Sequence, residues 1–132
     1  MIALLALLGS SGCDASPQAG PEIQPGFAGS FYTSDTAALR REVNGYINAA
    51  TAVDGLDAWA FISPHAGYVY SGAVAGEVFS SVQVPGKVVV FCPNHTGYGE
   101  EAAILTRGSW RMPWGDVPLD ADLGRRLKEA CP

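Results

Sequence analysis

His65 and His95 are the only histidines among the 132 residues, and each stands just past the end of an apolar run. The first run is Ala58-Trp59-Ala60-Phe61-Ile62, followed by Ser63-Pro64-His65-Ala66-Gly67-Tyr68. The second is Lys87-Val88-Val89-Val90-Phe91-Cys92, followed by Pro93-Asn94-His95-Thr96. Neutral imidazole is the commonest protein metal ligand and suits zinc, copper and iron, and it titrates near neutral pH. The pair therefore points to a metal or acid/base centre. Two imidazoles are too few to complete one; a carboxylate or thiolate added to them, with open positions left, would give a non-haem site that activates oxygen or water. Taken singly, either histidine is also accounted for by a structural role.

Other residues near the histidines carry open alternatives. Tyr68 and Tyr70, two apart, face one way if the chain is extended, and either donate phenol groups to a substrate or line a wall. Asn94 either binds substrate or fixes its loop through an Asx turn, and the turn is the simpler expectation. Trp110 and Trp114 suit a core or an interface. Asp116 and Asp120 are carboxylates downstream of the histidine loops, and capping explains Asp120. Gly97-Tyr98-Gly99-Glu100-Glu101-Ala102 has the loose spacing of a dinucleotide loop, but Ala103-Ile104-Leu105-Thr106 reads as strand where such a site needs a helix. There is no nucleophile elbow and no phosphate-binding lysine loop.

The elements that must position these groups follow from pattern. Both apolar runs read as buried strands. Ser34-Asp35 supplies a cap for a helix to about Ala49, with Leu39, Val43, Tyr46 and Ile47 on one face. Gly72 to Val82 reads as a second helix, its small residues Ala73, Ala75 and Gly76 permitting close packing. Strand, helix, strand makes a βαβ unit, which predicts parallel neighbours and puts both histidine loops at one sheet edge. Beyond His95, Ala102 to Thr106 reads as a strand, Trp110 to Val117 as an irregular or hairpin segment, and Asp120 as the cap of a last helix to about Ala130. The expected class is α/β: a three-layer sandwich with a mostly parallel sheet.

A formal charge of −5 and a pI near 4.8, with no cluster of Lys and Arg, argue against nucleic acid as a partner. The apolar run Met1 to Leu8, then Gly9-Ser10-Ser11-Gly12-Cys13, resembles the end of a signal peptide leading to a bacterial lipoprotein site. On that reading residues 1–13 are a signal-like segment, Cys13 is the lipidated residue, and 14–25 are a polar tether. The protein is then exported, either periplasmic or held at a membrane through Cys13. A cytoplasmic protein with a plain apolar N-terminus is the alternative. Three cysteines form no zinc motif and no disulfide framework.

Four segments in order carry a family resemblance: Gly26-Phe27-Ala28-Gly29-Ser30-Phe31-Tyr32; Ser63-Pro64-His65-Ala66-Gly67-Tyr68-Val69-Tyr70-Ser71-Gly72; Pro93-Asn94-His95-Thr96; and Trp110 through Asp120. With them the chain resembles the Memo family, known in many prokaryotes as AmmeMemoRadiSam system protein B, and residues 26–132 correspond to its N-terminal part. The resemblance implies a fold similar to class III extradiol dioxygenases, which use non-haem iron. It implies His65 and His95 as metal-binding and catalytic residues, Tyr68, Tyr70 and Asn94 beside them as substrate-binding candidates, and iron or copper as the metal. The family's third ligand is a more C-terminal cysteine; Cys131 follows His95 too closely to be that residue, so this portion alone is expected to be inactive. Dioxygenase-like redox chemistry on an unknown substrate, with a functional link to a radical SAM protein, is one implied function. A non-catalytic module binding a small molecule or peptide is the other.

Overall fold

A computed structural model of the chain describes residues 2–8, 20–49, 55–100 and 102–130. It is a mixed α/β protein that divides into two compact units, Pro25–Val84 and Met1–Gln24 with Pro85–Pro132. Cys13 and Cys131 lie outside the described residues.

The Pro25–Val84 unit is built on two helices, α1 (Thr36–Ala49) and α2 (Tyr68–Ser80). Asp35 starts α1 as expected, its Oδ1 accepting the Ala38 N–H at 2.7 Å and so satisfying one of the first-turn donors. Leu39 on the predicted apolar face is almost fully buried. The helices approach closely because α2 presents Gly72 and Gly76 to Tyr46. A Cβ on Gly76 would lie 2.6 Å from the Tyr46 carbonyl oxygen, and one on Gly72 would collide with the Tyr46 ring. Before α1, the segment 27–32 folds into a tight turn. Phe31 N–H donates to Phe27 O (2.9 Å) and Gly29 N–H to Tyr32 O (2.7 Å). Gly29 has φ +83°, a left-handed conformation suited to glycine.

Two expectations fail in this unit. Ala58 to Ile62 forms no strand, since a strand needs a hydrogen-bonded neighbour and the only pairing described in this unit beyond the 27–32 turn is the isolated parallel bridge of Leu56 to Val82. Trp59 is fully exposed and Ile62 is 92% exposed, while Phe61 meets Phe79 edge-on at 5.2 Å. The expected βαβ unit is therefore not formed among the described residues. Secondly, α2 begins at Tyr68, four residues before the predicted start, with Gly67 as its N-cap residue. Tyr68 and Tyr70 are thus helical and point about 200° apart around the axis, where an extended chain would have aligned them.

The second unit holds two three-stranded sheets, ordered β3-β1-β4 and β2-β5-β6. The strands are β1 (Ile2–Leu8), β2 (Glu22–Ile23), β3 (Lys87–Pro93), β4 (Ala103–Ile104), β5 (Ser109–Met112) and β6 (Gly115–Pro118). Each sheet has one antiparallel and one parallel pairing, so neither is mostly parallel. The signal-like run pairs with β3, Ile2 opposite Pro93 and Leu8 opposite Lys87. Glu22–Ile23, within the segment expected to be a tether, form β2 alongside β5, where Arg111 Nε lies 2.6 Å from Glu22 Oε1. Trp110 to Val117 is a hairpin, Met112 pairing with Gly115 across Pro113-Trp114. The last helix, α3 (Ala121–Ala130), starts where the sequence placed it, the Leu123 N–H donating to Asp120 Oδ1 at 3.0 Å. No helix is long and apolar enough to cross a membrane among the described residues.

Candidate functional site

The Pro25–Val84 unit contains a cavity of about 480 Å³ with His65 on its wall. Three parts of the sequence build it. The 27–32 turn contributes Phe27, Phe31 and Tyr32; α1 contributes Val43, Tyr46 and Ile47; the His65 loop and α2 contribute Tyr68, Ser71, Ala75 and Phe79. The rings are arranged in contact, Phe27 to Phe31 at 4.7 Å, Tyr32 to Tyr68 at 5.5 Å and Tyr46 to Tyr68 edge-on at 6.4 Å between centroids. Among the described residues, no Lys, Arg, Asp or Glu lines the cavity.

Backbone and side-chain bonds hold the His65 loop against this wall. The Tyr68 N–H donates to Phe31 O at 2.8 Å, which ties the aromatic turn to the start of α2. Ser71, 7% exposed, directs its hydroxyl to Ala66 O at 2.9 Å and lies 3.3 Å from Gly67 O. Ser71 thus fastens the two residues after His65 to the first turn of α2. Ser71→Ala is expected to cost about 1 kcal/mol, the net worth of one such bond. It should also speed hydrogen exchange at the amides of residues 68–71, read by NMR beside a urea melt. Unchanged exchange there would mean that Ser71 does not anchor the loop.

The phenols beside the cavity are kept protonated. Burial, then the hydrogen bond and the negative charge of Glu42, push the Tyr46 hydroxyl above its ordinary pKa. Its oxygen lies 3.1 Å from Glu42 Oε1 and 3.2 Å from Tyr68 O, so its single proton serves one of these at a time. Burial, then Tyr32 and Glu42, raise Tyr68 likewise. At neutral pH both are donors and neither is a base. Tyr70 does not line the cavity and is 86% exposed.

His95 lies in the other unit, in an exposed loop two residues after β3. Asn94 shapes that loop as an Asx turn: its Oδ1 accepts the Thr96 N–H at 2.9 Å and the Thr96 hydroxyl at 2.6 Å, and its Nδ2 donates to Tyr98 O at 2.8 Å. The turn expected of Asn94 is formed. Among the described residues no three His, Cys, Asp or Glu side chains gather as a metal-binding group. The residues present supply two imidazoles, one in each unit, and do not by themselves make a complete metal site.

The sequence reading missed Ser71 as a loop anchor and the part α1 plays in the cavity. Ser71 sat in a quoted motif, and a serine four residues after a helix-capping glycine was the available signal. Spacing places Tyr46 on one apolar face of α1, and only the glycines opposite it reveal that its ring reaches α2.

A family model described as Memo-like protein matches residues 24–132. A MEMO1 family protein of Methanothermobacter thermautotrophicus is 36% identical over 116 residues, covering 79% of this chain and 41% of the relative. One from Methanococcoides burtonii is 41% identical over 104 residues, covering 79% and 39%. One from Aquifex aeolicus is 34% identical over 104 residues, with the same coverage. The chain spans about two fifths of the length of these curated relatives. No solved structure gives a significant match.

Proposed function

This chain belongs to the Memo-like protein family, and on that premise we propose that it forms the N-terminal part of a metal-dependent redox protein in which His65 and His95 are two of the metal ligands. The observation that carries the reading is the placement of the imidazoles: both are exposed, His65 in the loop before α2 and His95 in the loop after β3, and the matched region contains both. The remaining donors come from the length of fold that the relatives have and this chain does not span. Iron or copper suits imidazole with a thiolate, and such a metal would supply one-electron chemistry with dioxygen. In the complete protein the fold is a three-layer α/β sandwich of the class III extradiol dioxygenase type. Three features of the described residues support a larger fold: the run from Ala58 to Ile62, which pairs with none of them, the exposed Trp59, and the buried Trp110 indole N–H, which finds no acceptor among them. Export with acylation at Cys13, and a functional link to a radical SAM protein, belong to the same reading.

Titration of the chain with iron(II) and copper(I) under anaerobic conditions, with elemental analysis, tests it. The wild-type chain is expected to take up one weakly held, exchangeable metal. The His65→Ala, His95→Ala double variant should lose affinity by more than the roughly 10–100-fold that outer-shell partners cost. Equal binding by the double variant would remove the histidines from the site. The second reading, a non-catalytic ligand-binding module, is favoured by the aromatic cavity of the Pro25–Val84 unit.

A further inference from the structure

We propose that the cavity beside His65 binds a neutral, planar aromatic molecule, an assignment of ligand class that rests on reading this cavity as the protein's site. Its volume, about 480 Å³, falls within the usual range for small-molecule pockets and suits a ligand of roughly 10–20 non-hydrogen atoms. The class follows from the walls. Six rings, those of Phe27, Phe31, Tyr32, Tyr46, Tyr68 and Phe79, face the space. Several already pair in the tilted or edge-on arrangements that a further ring would extend.

Charge excludes the alternatives. Among the described residues, an anionic ligand would meet no Lys or Arg on the walls and one imidazole, that of His65, beside the Glu42 carboxylate at Tyr46 and on a chain of formal charge −5. A charged group buried without a partner is costly. A cation would find ring faces, which attract it, but no carboxylate among the described residues lines the cavity. The polar groups of the wall are the hydroxyls of Tyr32, Tyr46, Ser63, Tyr68 and Ser71 and the His65 imidazole, and of these Ser71 and Tyr46 are engaged with backbone carbonyls or with Glu42. The remaining wall is aromatic and aliphatic, so a ligand rich in polar groups would leave most of them against carbon.

Four probes of matched or smaller size distinguish these cases on the full chain, without metal, by ¹H–¹⁵N spectra: 2-naphthol, 2-naphthoate, decahydro-2-naphthol and choline. Saturable shifts at the amides of Tyr68, Gly72 and Gly76 are expected with 2-naphthol. Its affinity should exceed that of 2-naphthoate by at least about 10-fold, and that of the saturated alcohol by about 2- to 10-fold, the worth of a well-placed ring contact. Ala75→Phe, which fills the cavity, should abolish the shifts, whereas Ala73→Phe on the exposed face of α2 should not. If Ala75→Phe does not fold, intermolecular NOEs from 2-naphthol to the Val43 and Ala75 methyls in the wild-type chain decide the matter. Preference for 2-naphthoate or choline, equal binding of the saturated alcohol, or no saturable shift would overturn the assignment. Because no metal is present, each of these outcomes leaves the histidine titration as a separate result.

Discussion

Gly76→Ala is expected to destabilise the chain by about 2 kcal/mol, although alanine is the better helix former by about 1 kcal/mol. The new methyl would sit 2.6 Å from the Tyr46 carbonyl oxygen and 2.7 Å from its carbonyl carbon. Those are backbone atoms of α1, so no rotamer change relieves the clash and the helices must separate. Separation would also draw Tyr46 from Tyr68 O and open the cavity between the helices. Gly45→Ala, on α1 with nothing within 4 Å of the new Cβ, is the matched control and should stabilise by about 0.5–1 kcal/mol. Urea melts followed by circular dichroism read both. Equal effects of the two substitutions would mean that α1 and α2 are not in close contact.

Asp120→Ala should cost about 2 kcal/mol, because one carboxylate does two jobs. Its Oδ1 caps α3 at Leu123, and its Oδ2 lies 2.5 Å from Lys87 Nζ at the start of β3. Asp120 is 8% exposed whereas Lys87 is largely exposed, so solvent screens the ion pair and the cap carries about half of the total. The Leu123 N–H first, and then Lys87, hold the Asp120 carboxyl below its ordinary value of 3.8 against the opposing effect of burial. A carboxyl with a lower pKa folded than unfolded stabilises fully above about pH 4, and that contribution is lost as pH falls from there through the folded value. Acid titration of the urea midpoint should show this loss in the wild type. Asp120→Asn keeps the cap and should flatten this part of the profile, with a smaller cost at neutral pH. An unchanged acid limb in Asp120→Asn would assign the pH dependence to other carboxylates.

Local chemistry was legible in the sequence wherever a few neighbouring residues suffice to satisfy the backbone. Asp35 and Asp120 announced α1 and α3 because a cap acts within three residues. Asn94 announced its turn for the same reason. The run that became β3 was equally readable, whereas Trp110 to Val117 read as irregular or hairpin until the pairing of β5 with β6 decided for the hairpin. The paired histidines and the motifs around them also sufficed to assign the Memo-like family, since that depends on residue identity and order alone.

Tertiary structure decided the rest. Ala58 to Ile62 has strand composition, yet a strand exists only when another segment completes its ladder, and no composition states whether a partner is within reach. Tyr68 and Tyr70 could be placed on one side or on two only once the backbone between them was known to be helical. There the Gly67 cap and the Ser71 bonds to Ala66 and Gly67 begin α2 earlier than apolar spacing indicates. The cavity depends on Tyr46 meeting Gly72 and Gly76 across 26 to 30 positions of sequence, a contact that no local pattern encodes. Sequence by itself determined the family, the capped elements and the two imidazoles. Pairing, helix approach and the aromatic-lined cavity arose only in three dimensions, because each requires groups distant in the chain to satisfy or exclude one another.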